Sequence, residues 1–101
     1  MASIHFVERK GNTHKIKGTD HEYDCGYWAV SRDTAEKLVG GNLYLHSGQK
    51  EPSKFGGRIL SFRVHEGGDL DGWIIFRIQF SSEYRGVTIK EGWGNEKNII
   101  W

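Results

Sequence analysis

Asn42-Leu43-Tyr44-Leu45-His46-Ser47-Gly48-Gln49-Lys50-Glu51-Pro52-Ser53-Lys54-Phe55-Gly56-Gly57-Arg58-Ile59-Leu60-Ser61-Phe62-Arg63-Val64 is the stretch whose reading decides the fold. Two runs rich in aromatic and aliphatic residues, Leu43–His46 and Arg58–Val64, flank a polar segment that holds the only proline, Pro52, and the lysines Lys50 and Lys54. The pair Gly56-Gly57 closes that segment. Apolar runs bounded by breaker residues read as strands. In the second run Leu60, Phe62 and Val64 alternate with Ile59, Ser61 and Arg63, the period of a strand with one face in a core. The reading is a central strand pair with a basic, conformationally specified loop, Ser47–Arg58, between its members.

Upstream, Gly26-Tyr27-Trp28-Ala29-Val30 reads as a short strand that leads directly into a helix. Ser31 is a suitable N-cap, and Asp33 in the first turn complements the helix dipole. Ala35, Leu38 and Val39 share one face of Arg32–Val39, and Gly40-Gly41 is a natural stop. Ser3–Val7 is expected to be a first strand that turns at Lys10-Gly11-Asn12 and returns through Thr13–Lys17 as a hairpin. Gly18 to Gly26 is polar and acidic and reads as a loop. Downstream, His65 to Gly72 reads as a turn, Trp73–Phe80 as the clearest strand, Val87–Ile89 as a short strand and Asn98–Trp101 as the last. The fold class is therefore mainly β with one or two short helices, a single domain over residues 1–101. Six or seven strands with one helix are expected to close as a small β-barrel, because an open sheet leaves edges to protect.

The composition fits this picture. Of 101 residues, 37% are apolar, and four Trp, four Tyr and five Phe must supply much of the buried area. The net charge of +1 neither requires nor excludes nucleic acid, but the charge is segregated. Arg9, Lys10, Lys15 and Lys17 face only Glu8, and Lys50, Lys54, Arg58 and Arg63 face only Glu51. Asp20, Glu22 and Asp24 form an acidic block between them, and a second follows His65. The single cysteine, Cys25, excludes an internal disulfide and a cysteine-rich zinc set. His21 lies near Asp20 and Asp24, but no paired histidines have metal-ligand spacing, and no glycine-rich phosphate loop is present. No metal or cofactor is expected. Without an apolar leader or a run approaching ~18 apolar residues, the expectation is a soluble, cytoplasmic protein with no membrane partner.

Four short motifs resemble the EVE and ASCH branches of the PUA-like superfamily. They are Tyr27-Trp28, Tyr44-Leu45-His46-Ser47, Lys50-Glu51-Pro52, and Gly57 leading into Arg58–Val64. The spacing from Tyr27-Trp28 to the His46-Ser47 strand is shorter than in EVE domains, and Ser53-Lys54-Phe55 precedes the glycines, so a divergent small member fits better. The resemblance implies a pseudo-barrel that binds RNA, or DNA carrying a modified base, with an unpaired nucleotide entering a pocket beside the barrel. Such recognition needs stacking surfaces, groups that read a base edge and cations for phosphates. On the matching positions, Tyr27, Trp28 and Tyr44 are the candidate stacking residues, and His46 and Ser47 the hydrogen-bonding groups. Lys50, Lys54 and Arg58 are the candidate phosphate contacts.

Each has a structural alternative: Trp28 and Tyr44 as core residues, His46 as a loop clamp, the cations as solvated loop charges. Trp93, between two glycines, either plugs a barrel end or walls a pocket. The expected function is a non-enzymatic nucleic-acid-binding domain, with no catalytic residues and the number of subunits left open. Two other classes stand beside it: a protein-interaction or accessory domain, and a small ASCH-like enzyme acting on nucleotides or RNA through His46 with Lys54 or Arg58. Nucleophilic chemistry at Cys25 would need His21 or His46 beside it.

Overall fold

The computed structural model describes residues 2–89, 91–94 and 96–101. Seven strands form one sheet: β1 (Ser3–Val7), β2 (Thr13–Lys15), β3 (Glu22–Trp28), β4 (Asn42–His46), β5 (Ser53–Val64), β6 (Ile74–Phe80) and β7 (Lys97–Ile100). Their order across the sheet is β2-β3-β6-β5-β4-β1-β7. Only the β1–β4 pair is parallel. One helix, α1 (Arg32–Leu38), links β3 to β4.

The helix forms as expected except at its end, where Val39 is an extended, exposed C-cap and not part of the buried face. The Ser31 hydroxyl accepts from the Thr34 amide at 3.2 Å, Ala35 and Leu38 are buried, and Gly40 follows the end with φ +88°. That left-handed conformation suits glycine, which has no Cβ to clash. One face of the sheet carries Ile4, Phe6, Leu43, Leu45, Ile59, Ile74, Phe76 and Ile78, all buried, and α1 adds Ala35 and Leu38 to this core.

Several expectations are corrected. Ser3–Val7 and Thr13–Lys15 are strands, but they form no hairpin: β1 lies between β4 and β7, whereas β2 pairs with β3 at the far side of the sheet. Residues 8–12 therefore cross from one wing of the sheet to the other. The acidic stretch is not wholly loop, because β3 begins at Glu22, and its carboxylates meet arginines of other strands. Glu22 pairs with Arg77 and Asp24 with Arg63, each at 3.1 Å. Opposite charges facing across strands offset the low strand propensity of Asp and Glu. Val87–Ile89 is not a strand; Ser82–Tyr84 forms a turn of 3-10 helix, and residues 85–89 are irregular.

The basic loop is shorter than expected, because β5 starts at Ser53 and includes Gly56-Gly57. These glycines serve close packing inside the sheet. A Cβ on Gly56 would collide with the Leu43 carbonyl oxygen, and one on Gly57 with that of Gln79. The alternation of β5 also breaks. Its register slips between Ile59 and Ser61, so Ile59 and Phe62 both pack into the core although one is odd and one even. An extra residue of this kind bends the strand and increases its twist.

The expected closure is not made by hydrogen bonds: the sheet is open, with β2 and β7 as its edges. It curls instead until its two wings touch through side chains. Phe6 of β1 stacks on Trp28 of β3 with ring centroids 3.8 Å apart and planes 8° from parallel. The Thr13 hydroxyl donates to Glu8 Oε2 at 3.0 Å, and Lys97 Nζ to the Ala29 carbonyl at 2.9 Å.

Because Gly57 lies against backbone on the β6 side, Gly57→Ala must push β5 and β6 apart or strain them. Overpacking of this kind costs about 1–3 kcal/mol. A lower urea midpoint with an unchanged slope is the expected result, and an unaltered midpoint would refute the close approach.

Candidate nucleic-acid interface

Where the wings of the curled sheet meet, they leave a cleft of about 460 Å³. That volume falls within the ~300–1,000 Å³ common for small-ligand sites. Phe6 and Trp28 lie in its wall together with Tyr27, Leu70 and Trp73. The crossing segment supplies Glu8, Arg9, Lys10 and Asn12, and the approach to β7 supplies Glu96 and Lys97. An aromatic surface is thus bordered by polar and charged groups along one side. Trp73 is 37% exposed although it is a large apolar side chain. Tyr27, joined to Gly26 by a cis peptide bond, is partly buried with its ring edge-on to His65 at 4.7 Å.

The charges of the rim are unequally committed. Arg9 Nε lies 3.1 Å from both carboxylate oxygens of Glu96, yet both side chains are more than half exposed. Such a surface pair contributes little stability and exchanges readily for another anion. Glu8 is buried; its Oε2 accepts from Thr13, and its Oε1 lies 3.6 Å from Lys54 Nζ. Cys25 sits behind this group, fully buried, 3.8 Å from the Thr13 hydroxyl. Burial pushes its thiol up to about 12. It is a protonated core group at neutral pH, since the thiolate is the nucleophilic form.

The structure divides the eight residues singled out in the sequence. Tyr27 and Trp28 line the cleft. Tyr44 and His46 are elsewhere, in a cluster on the opposite face of the sheet with His5, Tyr84 and Trp93. Ser47 and Lys50 are exposed in the turn after β4. Lys54 is bound to Glu8, donating to its backbone carbonyl at 3.3 Å as well. Arg58 is exposed on β5, where its positive charge acts on the Tyr84 hydroxyl. Sequence reading did not single out Glu8, Arg9, Lys10, Asn12 or Trp73. The signal was the run of three charges directly after an apolar strand, which the expected hairpin turned into a solvated tip.

The second cluster is a closed hydrogen-bonded unit. His46 Nδ1 lies 2.9 Å from the Glu51 carbonyl, which only accepts, so this nitrogen carries the proton. With His46 neutral, its Nε2 accepts from His5 Nδ1 at 2.9 Å. His5 stacks on Tyr44 with centroids 4.5 Å apart, and Trp93 meets both imidazoles edge-on. Trp93 thus covers the histidine pair and lines no part of the cleft. Ser53 ties the covering segment to β5: its hydroxyl donates to the Tyr84 carbonyl at 2.6 Å and accepts from the Val87 amide at 2.9 Å. Burial raises the pKa of both Tyr44 and Tyr84, with further contributions from Glu83 and, for Tyr84, from Tyr44. Among the described residues no group of acids, histidines and cysteine is arranged to hold a metal ion, and no helix is long and apolar enough to cross a membrane.

No family model, characterised protein or solved structure matches the chain.

Burial, and then the neighbouring His46, lower the pKa of His5 from 6.5 to about 4. Its folded value lies below its unfolded value, so the unfolded chain binds the extra proton first. The stabilisation is complete above pH 6.5 and is lost as pH falls towards 4. From such a shift up to about 3 kcal/mol is at stake. Urea unfolding of the wild type and of His5→Gln between pH 7 and 4.5 checks this. The wild type should lose more stability than the variant over that interval, and parallel losses would contradict it.

Proposed function

We propose that the protein binds single-stranded nucleic acid, RNA or DNA with a modified base, by taking one unpaired base into the cleft between the wings of its sheet. The single observation that carries this reading is the cleft's composition: an exposed indole and a half-buried phenol beside a polar rim that includes Arg9, Lys10 and Lys97. Every base has a π-face, so an aromatic wall accepts bases without regard to sequence, and nearby cations hold the flanking phosphates. Trp73 and Tyr27 are the stacking surfaces, with Trp28 as a deeper wall. Lys10, and Arg9 after release from Glu96, are the phosphate contacts. Asn12 is a polar group within reach of a base edge.

The reading keeps the ligand class implied by the PUA-like resemblance and moves the contact surface. Tyr27 and Trp28 remain in it, and the phosphate contacts pass from Lys50, Lys54 and Arg58 to Arg9 and Lys10. A PUA-like pseudo-barrel is part of the same proposal. It is supported by the curl of a seven-stranded sheet, with one helix after β3 and Tyr27-Trp28 at the meeting of the wings.

Fluorescence anisotropy with labelled single-stranded RNA and DNA decamers tests it. Loss of a stacked aromatic costs about 1–3 kcal/mol per base, so Trp73→Ala is expected to weaken binding about tenfold or more without unfolding the domain. Lys10→Ala should reduce the slope of log affinity against log salt by about one. Absence of binding overturns the proposal. So does an affinity that ignores Trp73→Ala and Lys10→Ala but falls in a Lys50→Ala/Arg58→Ala variant, which would place the contact on the turn after β4 and the outer face.

A further inference from the structure

We propose that Glu8 is the specificity-determining group of this cleft and that it selects guanine; the inference rests on the reading of the cleft as a site for an unpaired base. Glu8 is only 9% exposed and lines both the cleft and a smaller hollow of about 240 Å³ behind it. It is held in place there. Thr13 donates to Oε2 at 3.0 Å, and the Lys54 ammonium lies 3.6 Å from Oε1. An ionised carboxylate has about four acceptor positions and no donor. These two partners do not exhaust the acceptor capacity of a residue that lines the cleft, so an edge that pairs with it must bring N–H groups.

Among the standard bases, guanine alone presents two adjacent donors, N1–H and the N2 amino group, on its Watson–Crick edge. It can give one to each carboxylate oxygen in a parallel pair, the charge-assisted geometry that is shortest and strongest. Adenine and cytosine set a ring-nitrogen lone pair beside their amino group. Uracil and thymine flank a single N–H with two carbonyl oxygens. Each of these turns an acceptor towards a carboxylate already removed from water, and a buried polar group left unmatched is penalised heavily. The stacking surfaces of the cleft are indifferent to sequence, so discrimination falls to Glu8. Lys54 is a positioning residue, fixing the carboxylate through its charge and through its bond to the Glu8 carbonyl.

Uridine decamers with one central guanosine, inosine, adenosine, cytidine or uridine provide the test, read by anisotropy with wild type and Glu8→Gln. The guanosine decamer is expected to bind wild type about tenfold or more tighter than the adenosine, cytidine and uridine decamers. Inosine, which lacks the N2 amino group, should lose most of that advantage. Glu8→Gln, of the same shape and still able to accept from Thr13, should bring the decamers to nearly equal affinity. The guanosine–inosine comparison on the wild type needs no variant and holds even if Glu8→Gln does not fold. Equal binding of all decamers to the wild type, or a guanine preference that survives Glu8→Gln, overturns the inference. If the decamers bind equally and Trp73→Ala still weakens them, the cleft reading stands and the guanine inference falls. If none of them binds, the cleft reading falls and takes this one with it.

Discussion

The stack of Phe6 on Trp28 is the contact on which the rest of this architecture depends. β1 and β3 are separated in the sheet by three other strands, and no ladder of hydrogen bonds joins them. Two rings lying 3.8 Å apart and almost parallel hold the wings together in its place. Aromatic pairs contribute about 0.5–1.5 kcal/mol beyond the area they bury, and this pair also sets a distance. With the wings in contact at that point, the remaining space above it is the cleft. Thr13 with Glu8, and Lys97 with the Ala29 carbonyl, brace the same junction with polar contacts. The bulge in β5 adds twist at the central strand of the sheet, between the two wings.

The two faces of the sheet are organised by different physics. On the inner face a hydrophobic core ends in a partly open aromatic wall. On the outer face, His5 and His46 are hydrogen-bonded to each other under Trp93, and Ser53 pins the 3-10 turn and its sequel against β5. Every polar atom of that histidine pair named here has a partner within the protein or an aromatic ring over it, which is the condition for a buried polar network to stabilise a fold. It has the character of a structural clamp, while the cleft carries the exposed indole of Trp73.

How much of this was legible in the sequence depended on whether the information was local. The helix was readable because Ser31, Asp33, Ala35, Leu38 and Gly40 each act within one or two turns. β4 and β6 were readable from runs of large apolar residues. β3 was missed at its acidic start because Glu22 and Asp24 gain their counterions from Arg77 and Arg63, which are distant in sequence. Gly56 and Gly57 carried an ambiguous signal, since glycine marks both turns and close approaches of backbone, and only the neighbouring strands decide between them. The candidate site was half legible for the same reason. Tyr27 and Trp28 belong to it, but Glu8, Arg9 and Lys10 enter it only because β1 and β2 part company, and that choice of partners is made by residues near both ends of the sequence.

The position of β1 has a consequence for the order in which the molecule can be assembled. The two neighbours of this strand are β4, whose residues follow some forty positions later, and β7, whose residues follow more than ninety positions later. Pairings over such separations are slow to form, because the intervening loop must close before the contacts repay it. Until Lys97–Ile100 has docked, one edge of β1 has no strand beside it, and Lys97 cannot yet reach the Ala29 carbonyl. The part of the protein that shapes the cleft is thus completed only once all seven strands are available. The β3–β6–β5–β4 block, with all its strands between Glu22 and Phe80, can fold ahead of it and serve as the template on which the cleft is finished.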